Sequence, residues 1–292
     1  MHPTTEPQVT FDTIASTVNN VHPDKTLQMI NALPHADLVV RDRVSGKEIK
    51  FEYFNRGVAL TRGPATYCQD GLCTVVDSSF MQDPKFLEAY RTGREANKSK
   101  PGGMDIHWRV YNECWVANKV KDLEGDFVEC GVKKGGSVMP VMTYIDFPST
   151  GKNFWLLDTF EGIAMELLTE EEKRIGIGTN YNRDFDNHYE YTKNLFEPYD
   201  CVKIIKGRVP DTLHQVEADK ICYLLIDMNN AAPEIAAIEY FWDKLVSGAI
   251  VILDDYAWKT HPVQKVEFDR FAERKGIEIL SMPTGQGFIF KP

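Results

Sequence analysis

No window of this 292-residue sequence approaches the roughly eighteen consecutive apolar residues that a membrane-spanning helix requires. A basic stripe is missing too. The formal net charge is −10, and Lys98-Ser99-Lys100 is too short a cluster to grip a phosphate backbone. An acidic surface also disfavours docking on anionic lipid. Neither nucleic acid nor membrane is therefore expected as a partner; a small molecule is. The first residues, MHPTTEPQVTFDTIAS, lack the basic start and apolar run of a secretory signal. C-x-x-C pairs are absent as well. The six cysteines (Cys68, Cys73, Cys114, Cys130, Cys201 and Cys222) are scattered, and Cys130 and Cys222 lie inside apolar runs. They are expected to be reduced thiols in a reducing compartment, which makes the expected location cytoplasmic. Internal repeats and low-complexity tracts are not found.

What is present changes in texture along the chain. The first thirty-five residues are polar and punctuated by proline, with a weak helical pattern near residues 26–33. Residues 36–80 alternate in the manner of short strands: 38–40, a Ser45-Gly46 turn, then 49–54. Residues 83–122 are helical in pattern. Pro84 sits where a first-turn proline is tolerated, and the segment 98–103 reads as a linker. A second helix over 106–120 carries Trp108, Tyr111, Trp115 and Val116 along one side, a face that suits core packing or a homo-oligomer contact equally well.

After Gly125, apolar runs of five to seven residues alternate with helix-length segments: 126–131, 153–158, 202–207, 221–227 and 249–255. Continuous apolar runs of this length are strands buried on both faces, as in a parallel sheet covered by helices. Two further runs, 277–282 and 287–290, are joined only by Pro283-Thr284-Gly285-Gln286. That link is too short for a parallel crossover, so the pair must be antiparallel. The pattern predicts an α/β protein with a doubly wound, Rossmann-like sheet: five parallel strands and a terminal antiparallel hairpin, preceded by an N-terminal α+β extension. The expected division is an extension over 1–105 and a catalytic domain over 106–292.

Ligands of open α/β sheets bind beyond the carboxyl ends of the strands. Those ends are acidic here: Glu129 in the first, Asp158-Thr159 in the second, Asp227 in the fourth and Asp254-Asp255 in the fifth. The first loop, Glu129-Cys130-Gly131-Val132-Lys133-Lys134-Gly135-Gly136-Ser137, places Lys133 where a dinucleotide fingerprint needs its second glycine. It suits instead a ligand with an ammonium and no phosphate. Glu129 could hold the ammonium, and Gly131 and Gly135 permit close backbone approach. Asp158 can accept from ribose hydroxyls. The fourth and fifth strands should be neighbours, so Asp227, Asp254 and Asp255 should converge, and their repulsion calls for a hard divalent cation such as Mg²⁺. His261, after the fifth strand, is a candidate general base.

The segments GDFVECGVKKGGS, LLDTFEGI, KGRVPDTL, YLLID and LVSGAIVILDDY, in that order, resemble the macrocin-type (TylF-like) O-methyltransferases over about residues 106–292. The resemblance implies a class I S-adenosylmethionine-dependent enzyme, Mg²⁺-assisted, that methylates a hydroxyl of a sugar or natural-product-like acceptor. It places Glu129, Gly131 and Ser137 along the methionine part of the cofactor, Asp158 on the ribose, and Gly207 and Arg208 beside the adenine. Asp227, Asp254 and Asp255 become metal ligands, with Asp227 also a base or orienting group for the acceptor. The family's D-x-D after the fourth strand is here Asp227-Met228-Asn229, which lowers the negative charge of the site. Three other readings stay open: a nicotinamide-dependent dehydrogenase, a degenerate nucleoside-binding or assembly protein, and a metal-independent methyltransferase.

Overall fold

The computed structural model describes residues 65–98, 104–178 and 188–292, together with the backbone of 38–41 and 48–51. The weak helical pattern at 26–33, most of the 98–103 linker and residues 184–187 lie outside the described residues. The chain divides into two compact units, residues 1–65 and 66–292.

In the first unit, β1 (Leu38–Arg41) and β2 (Glu48–Phe51) pair antiparallel, as the strand–turn–strand pattern predicted. The second unit opens with a short hairpin, β3 (Tyr67–Gln69) and β4 (Leu72–Thr74). Its turn is Asp70-Gly71, with φ of 51° and 70°. Two successive positive φ values are what a two-residue hairpin turn of the type I′ class demands, and Asp-Gly supplies them cheaply.

Two helices follow. In α1 (Pro84–Ala96) the Asp83 carboxylate accepts from the Lys85 amide and Pro84 occupies the first turn, so the start is fixed by a cap and a preset φ. Helix α2 is His107–Val120. Between them Phe86, Ala89, Tyr90, Val110 and Cys114 form a small core of their own.

The remaining strands are β5 (Asp126–Cys130), β6 (Phe154–Asp158), β7 (Val202–Lys206), β8 (Ile221–Ile226), β9 (Leu245–Leu253), β10 (Leu280–Ser281) and β11 (Gly287–Phe290). They form one seven-stranded sheet in the order β10-β11-β9-β8-β5-β6-β7. Pairings from β9 through β7 are parallel, while β11 runs antiparallel to both β9 and β10. The tight final hairpin is confirmed, and β10 is only two residues long, both exposed at the sheet edge. Burial explains the order. Every residue of central β8 is buried, whereas edge strand β7 buries only Ile205 and exposes Lys203 and Lys206.

Helices α3 (Val138–Ile145), α4 (Glu170–Arg174), α5 (His188–Phe196), α6 (Ala231–Phe241) and α7 (Pro262–Lys275) complete the unit. Successive strand residues point to opposite faces. Val128, Cys130, Leu224 and Ile226 meet Ala237, Ile238 and Phe241 of α6 and Phe268 and Phe271 of α7. Phe127, Tyr223 and Leu225 meet Val116, Ala117 and Val120 of α2 and Val138 and Val141 of α3. With helices on both faces, the strand ends β5, β6, β8 and β9 open together at one rim. Among the described residues no helix is long and apolar enough to cross a membrane.

Candidate active site

The rim holds a cavity of about 300 Å³. One end is lined by Asp158, Thr159, Gly207 and Arg208, the other by Asp227, Asn229, Asp254, Asp255 and Arg109, with Gly131 between. The close approach of the parallel neighbours β5 and β8 at their carboxyl ends makes this geometry possible. Gly131 has φ of 97°, and a Cβ there would lie 1.8 Å from the Asp227 carbonyl oxygen, so only glycine fits.

Asp158 fixes the loop after β5. One carboxylate oxygen accepts from the Val132 and Lys133 amides at 2.7 and 2.6 Å, the other from the Phe160 amide at 2.6 Å. A carboxylate offers about four acceptor sites, so with three amides donating one site is left for a hydroxyl donor, on the oxygen that Thr159 Oγ1 approaches to 3.5 Å. Arg208 is committed to Glu166 (2.6 Å) and Asp211 (2.5 Å), and the Glu166 bridge ties the segment after β6 across this end of the cavity.

At the other end the expected convergence is found. Asp227, Asp254 and Asp255 each offer a carboxylate oxygen, and the three atoms lie within 4.8 Å of one another. Burial first, then the charges of Asp254 and Asp255, push the Asp227 carboxyl well above its ordinary range. The same causes, burial and Asp254, raise Asp255 to about 7. Asn229 Nδ2 donates to Asp227 Oδ1 at 3.0 Å, so the residue that replaces a carboxylate holds its neighbour in place. Gln286 Nε2 donates to Asp254 Oδ1 at 3.1 Å. His261 is buried, with Nε2 3.8 Å from Asp255 Oδ2, and burial lowers its pKa, which favours the neutral imidazole.

The sequence reading missed the cation of this cluster. Arg109, on α2, donates from Nη1 to Asp254 Oδ2 at 2.6 Å and lies 4.0 Å from Asp255. Its Nε and Nη2 fork onto both oxygens of Asp70 at 2.7 Å, and its guanidinium lies 5.3 Å from the Trp258 ring centroid. Burial works against this charge, but Asp254 and Asp70 outweigh it and hold the arginine protonated. Glu113, one turn further along α2, is buried with its pKa raised to about 8 by burial and by Asp254. The signal was present in the sequence: Arg109, Asn112, Glu113 and Val116 follow i, i+3, i+4, i+7 spacing, but three are polar and so escape an apolar-face reading.

Three expected cofactor residues do not line the cavity. Glu129 is buried beneath it, with Oε2 lacking a hydrogen-bond partner and its pKa raised by burial and then by Glu113. Gly135 lies under the Phe196 ring, 2.7 Å from where a Cβ would stand. Ser137 caps α3 by position and bonds Glu113.

The sequence model of the macrocin-O-methyltransferase (TylF) family matches residues 108–281, more than half of the chain. The chain belongs to this family. A curated relative, the 8-demethyl-8-(2,3-dimethoxy-alpha-L-rhamnosyl)-tetracenomycin-C 4′-O-methyltransferase of Streptomyces olivaceus, is 28% identical over 144 residues. The match covers 46% of this chain and 54% of that protein, so the chain spans about half the length of the relative. Among solved structures, the O-methyltransferase NovP superposes with a TM-score of 0.56 at 21% identity, covering 63% of this chain and 79% of that one. The calicheamicin methyltransferase CalS11 gives 0.52 at 16% identity, covering 74% and 94%. At these identities the likeness shows the fold, which is that of the Rossmann-like class I methyltransferases.

Proposed function

We propose that this macrocin O-methyltransferase family protein transfers a methyl group from S-adenosylmethionine to a hydroxyl of a sugar or other natural-product-like small molecule, with Mg²⁺ at the acidic cluster. One observation carries the reading: a cavity with a ribose-competent carboxylate, Asp158, at one end and three converging carboxylates at the other. A nucleoside-bearing donor suits the first end and a hydroxyl acceptor the second.

The donor set fits a hard divalent ion. Asp227, Asp254 and Asp255 bring three carboxylate oxygens within 4.8 Å of one another, Arg109 pairs with Asp254 and Asp70, and burial, then mutual repulsion, raises the affinities of Asp227 and Asp255 for protons. Buried Glu129, with an orphaned oxygen, lies beneath the cavity rather than on its wall, so it would meet a cationic group at the methionine end only if the cavity floor opens. When bound, S-adenosylmethionine supplies a methyl group on a good leaving group, and Mg²⁺ supplies a Lewis acid that lowers an acceptor hydroxyl's pKa.

The chain's own residues do the rest. Asp227, at the cavity wall and steadied by Asn229, orients the acceptor hydroxyl and takes its proton. Neutral His261, behind Asp255, is the second candidate for that proton. Arg109 positions Asp254 and offsets its charge. Gly131 lets β5 and β8 close on one another, so donor and acceptor meet without intervening backbone.

One observation favours a metal-independent form of the same reaction: Arg109 already occupies Asp254. Calorimetric titration with S-adenosylhomocysteine, followed by turnover on sugar acceptors with and without EDTA, tests both. Saturable micromolar binding and EDTA-sensitive turnover are expected. No binding by folded protein would overturn the proposal, and EDTA-insensitive turnover would replace Mg²⁺ by Arg109.

A further inference from the structure

The hairpin β3–β4 reaches the site through its tip. Asp70 grips Arg109 with both carboxylate oxygens, and Gly71 lies so close beneath Trp258 that a Cβ would stand 2.7 Å from the indole. Yet each strand has only three residues. A two-stranded ladder of this length is marginal by itself in water. Contacts outside the ladder, Asp70 with Arg109 and Gly71 with Trp258, hold the tip, and the hairpin carries a chemical means of reinforcing them.

Cys68 and Cys73 are direct cross-strand partners. Gln69 and Leu72 flank the two-residue turn as the hydrogen-bonded pair, so the cysteines, one step outward, form the non-hydrogen-bonded pair. Cα atoms in such pairs lie about 4.5 Å apart, and their side chains leave the sheet on the same face. A disulfide accepts Cα separations of roughly 4.4–6.8 Å. Both residues are thiols here. Cys68 is exposed and Cys73 partly so, while Cys114, Cys130 and Cys222 are buried. The two thiols already interact: a hydrogen bond with Cys68, followed by partial burial, raises the Cys73 pKa. Spacing along the chain gave no hint of this, because Cys-x₄-Cys matches no redox motif.

We propose that Cys68 and Cys73 are a redox-modification site that forms a reversible intramolecular disulfide, stapling the hairpin and so fixing Asp70 against Arg109. The oxidant is a low-molecular-weight disulfide, RSSR. The Cys68 thiolate attacks one of its sulfurs, breaking the S–S bond and expelling one thiolate. Cys73 then attacks the Cys68 sulfur of the mixed disulfide, forming the protein S–S bond and expelling the second thiolate. Two electrons pass from the cysteines to RSSR, and the two cysteine protons end on two RSH. In a reducing compartment the pair stays open and closes when the thiol pool is oxidised.

The test uses the full-length protein in glutathione buffers of graded poise, quenched by alkylation and digested with trypsin. Residues 63–85 form one tryptic peptide containing Cys68 and Cys73 and no other cysteine. After oxidised glutathione this peptide is expected to lose two hydrogens and resist alkylation, and dithiothreitol should reverse both changes. Cys68→Ser and Cys73→Ser should each give a glutathione adduct instead. Hydrogen exchange at residues 69–72 should slow several-fold in the oxidised wild type and not in Cys73→Ser. A wild-type peptide that alkylates at both cysteines, or that stops at a stable glutathione adduct, overturns the proposal. So does a disulfide that leaves exchange at the tip unchanged. Neither readout depends on the methyl-transfer reading, whose failure would appear separately as absent S-adenosylhomocysteine binding.

Discussion

Arg109→Met keeps much of the aliphatic stem and removes the guanidinium that bridges Asp70 and Asp254. The arginine side chain is 15% exposed, Asp70 5% and Asp254 9%, so this is a buried ion triad. Removing one partner of a buried pair costs about 3–5 kcal/mol, because the remaining charge is left in a poor solvent. For a unit of this size each kcal/mol shifts Tm by about 2–4 °C, so a fall of roughly 6–20 °C is expected in thermal unfolding at neutral pH. The pH dependence gives the sign. Asp255 titrates near 7 when folded, against roughly 4 unfolded, so it binds its proton more tightly in the native state. Its contribution is therefore favourable at low pH and is lost as pH rises from about 4 through about 7. Arg109 opposes that loss, so the variant should lose stability more steeply over this window than wild type and approach it near pH 4. Mg²⁺ should restore part of the Tm, since a ligand at 100 times its Kd adds about 2.7 kcal/mol. A Tm within 2 °C of wild type at pH 8, with no pH or Mg²⁺ dependence of the difference, would refute the assignment of Arg109 as the cluster's counter-ion.

Asp227→Asn should lower turnover by at least about 100-fold, measured by methyl transfer to the acceptor. Its Tm should hold or rise, because a half-buried carboxylate repelled by Asp254 and Asp255 is removed. Gly131→Ala should abolish calorimetric binding of S-adenosylhomocysteine, since its Cβ would overlap the Asp227 carbonyl. Arg208→Ala removes half-exposed ion pairs, so the Tm should move by no more than about 2 °C; S-adenosylhomocysteine affinity should fall as the Glu166 bridge across the cavity opens.

The sheet was legible because a strand buried on both faces leaves a largely apolar run, as β6, β8 and the second half of β9 do and as β5 does apart from its two carboxylates. The acidic ends of those strands were legible for a related reason: a carboxylate directly after such a run must sit at the rim. That logic brought Asp227, Asp254 and Asp255 together correctly. It failed where the partner arrives from outside the sheet. Asp70 lies in a hairpin whose Asp-Gly turn is a strong local signal, but nothing in its sequence says where the tip will dock. Glu129 shows a second limit. The sequence places it at a strand end, but its direction depends on the twist of the sheet and on α2, whose Glu113 sits beside it.

The family match begins at residue 108, so it includes Arg109 but not Asp70, which lies in the second compact unit yet outside the matched segment. If the cluster were complete within the matched segment, Asp70 would be a surface accessory and its removal would be additive with that of Arg109. The fork geometry argues otherwise. In Arg109→Met, Asp70 is a buried carboxylate without its partner, and that orphaned charge accounts for a large part of the variant's cost. Asp70→Asn introduced into Arg109→Met should therefore recover stability, although the same change in the wild type should reduce it. A double-mutant cycle by urea unfolding reads the coupling, expected at about 1–3 kcal/mol. Additive effects within about 0.5 kcal/mol would mean that Asp70 and Arg109 do not depend on one another, and that the hairpin is not part of the site.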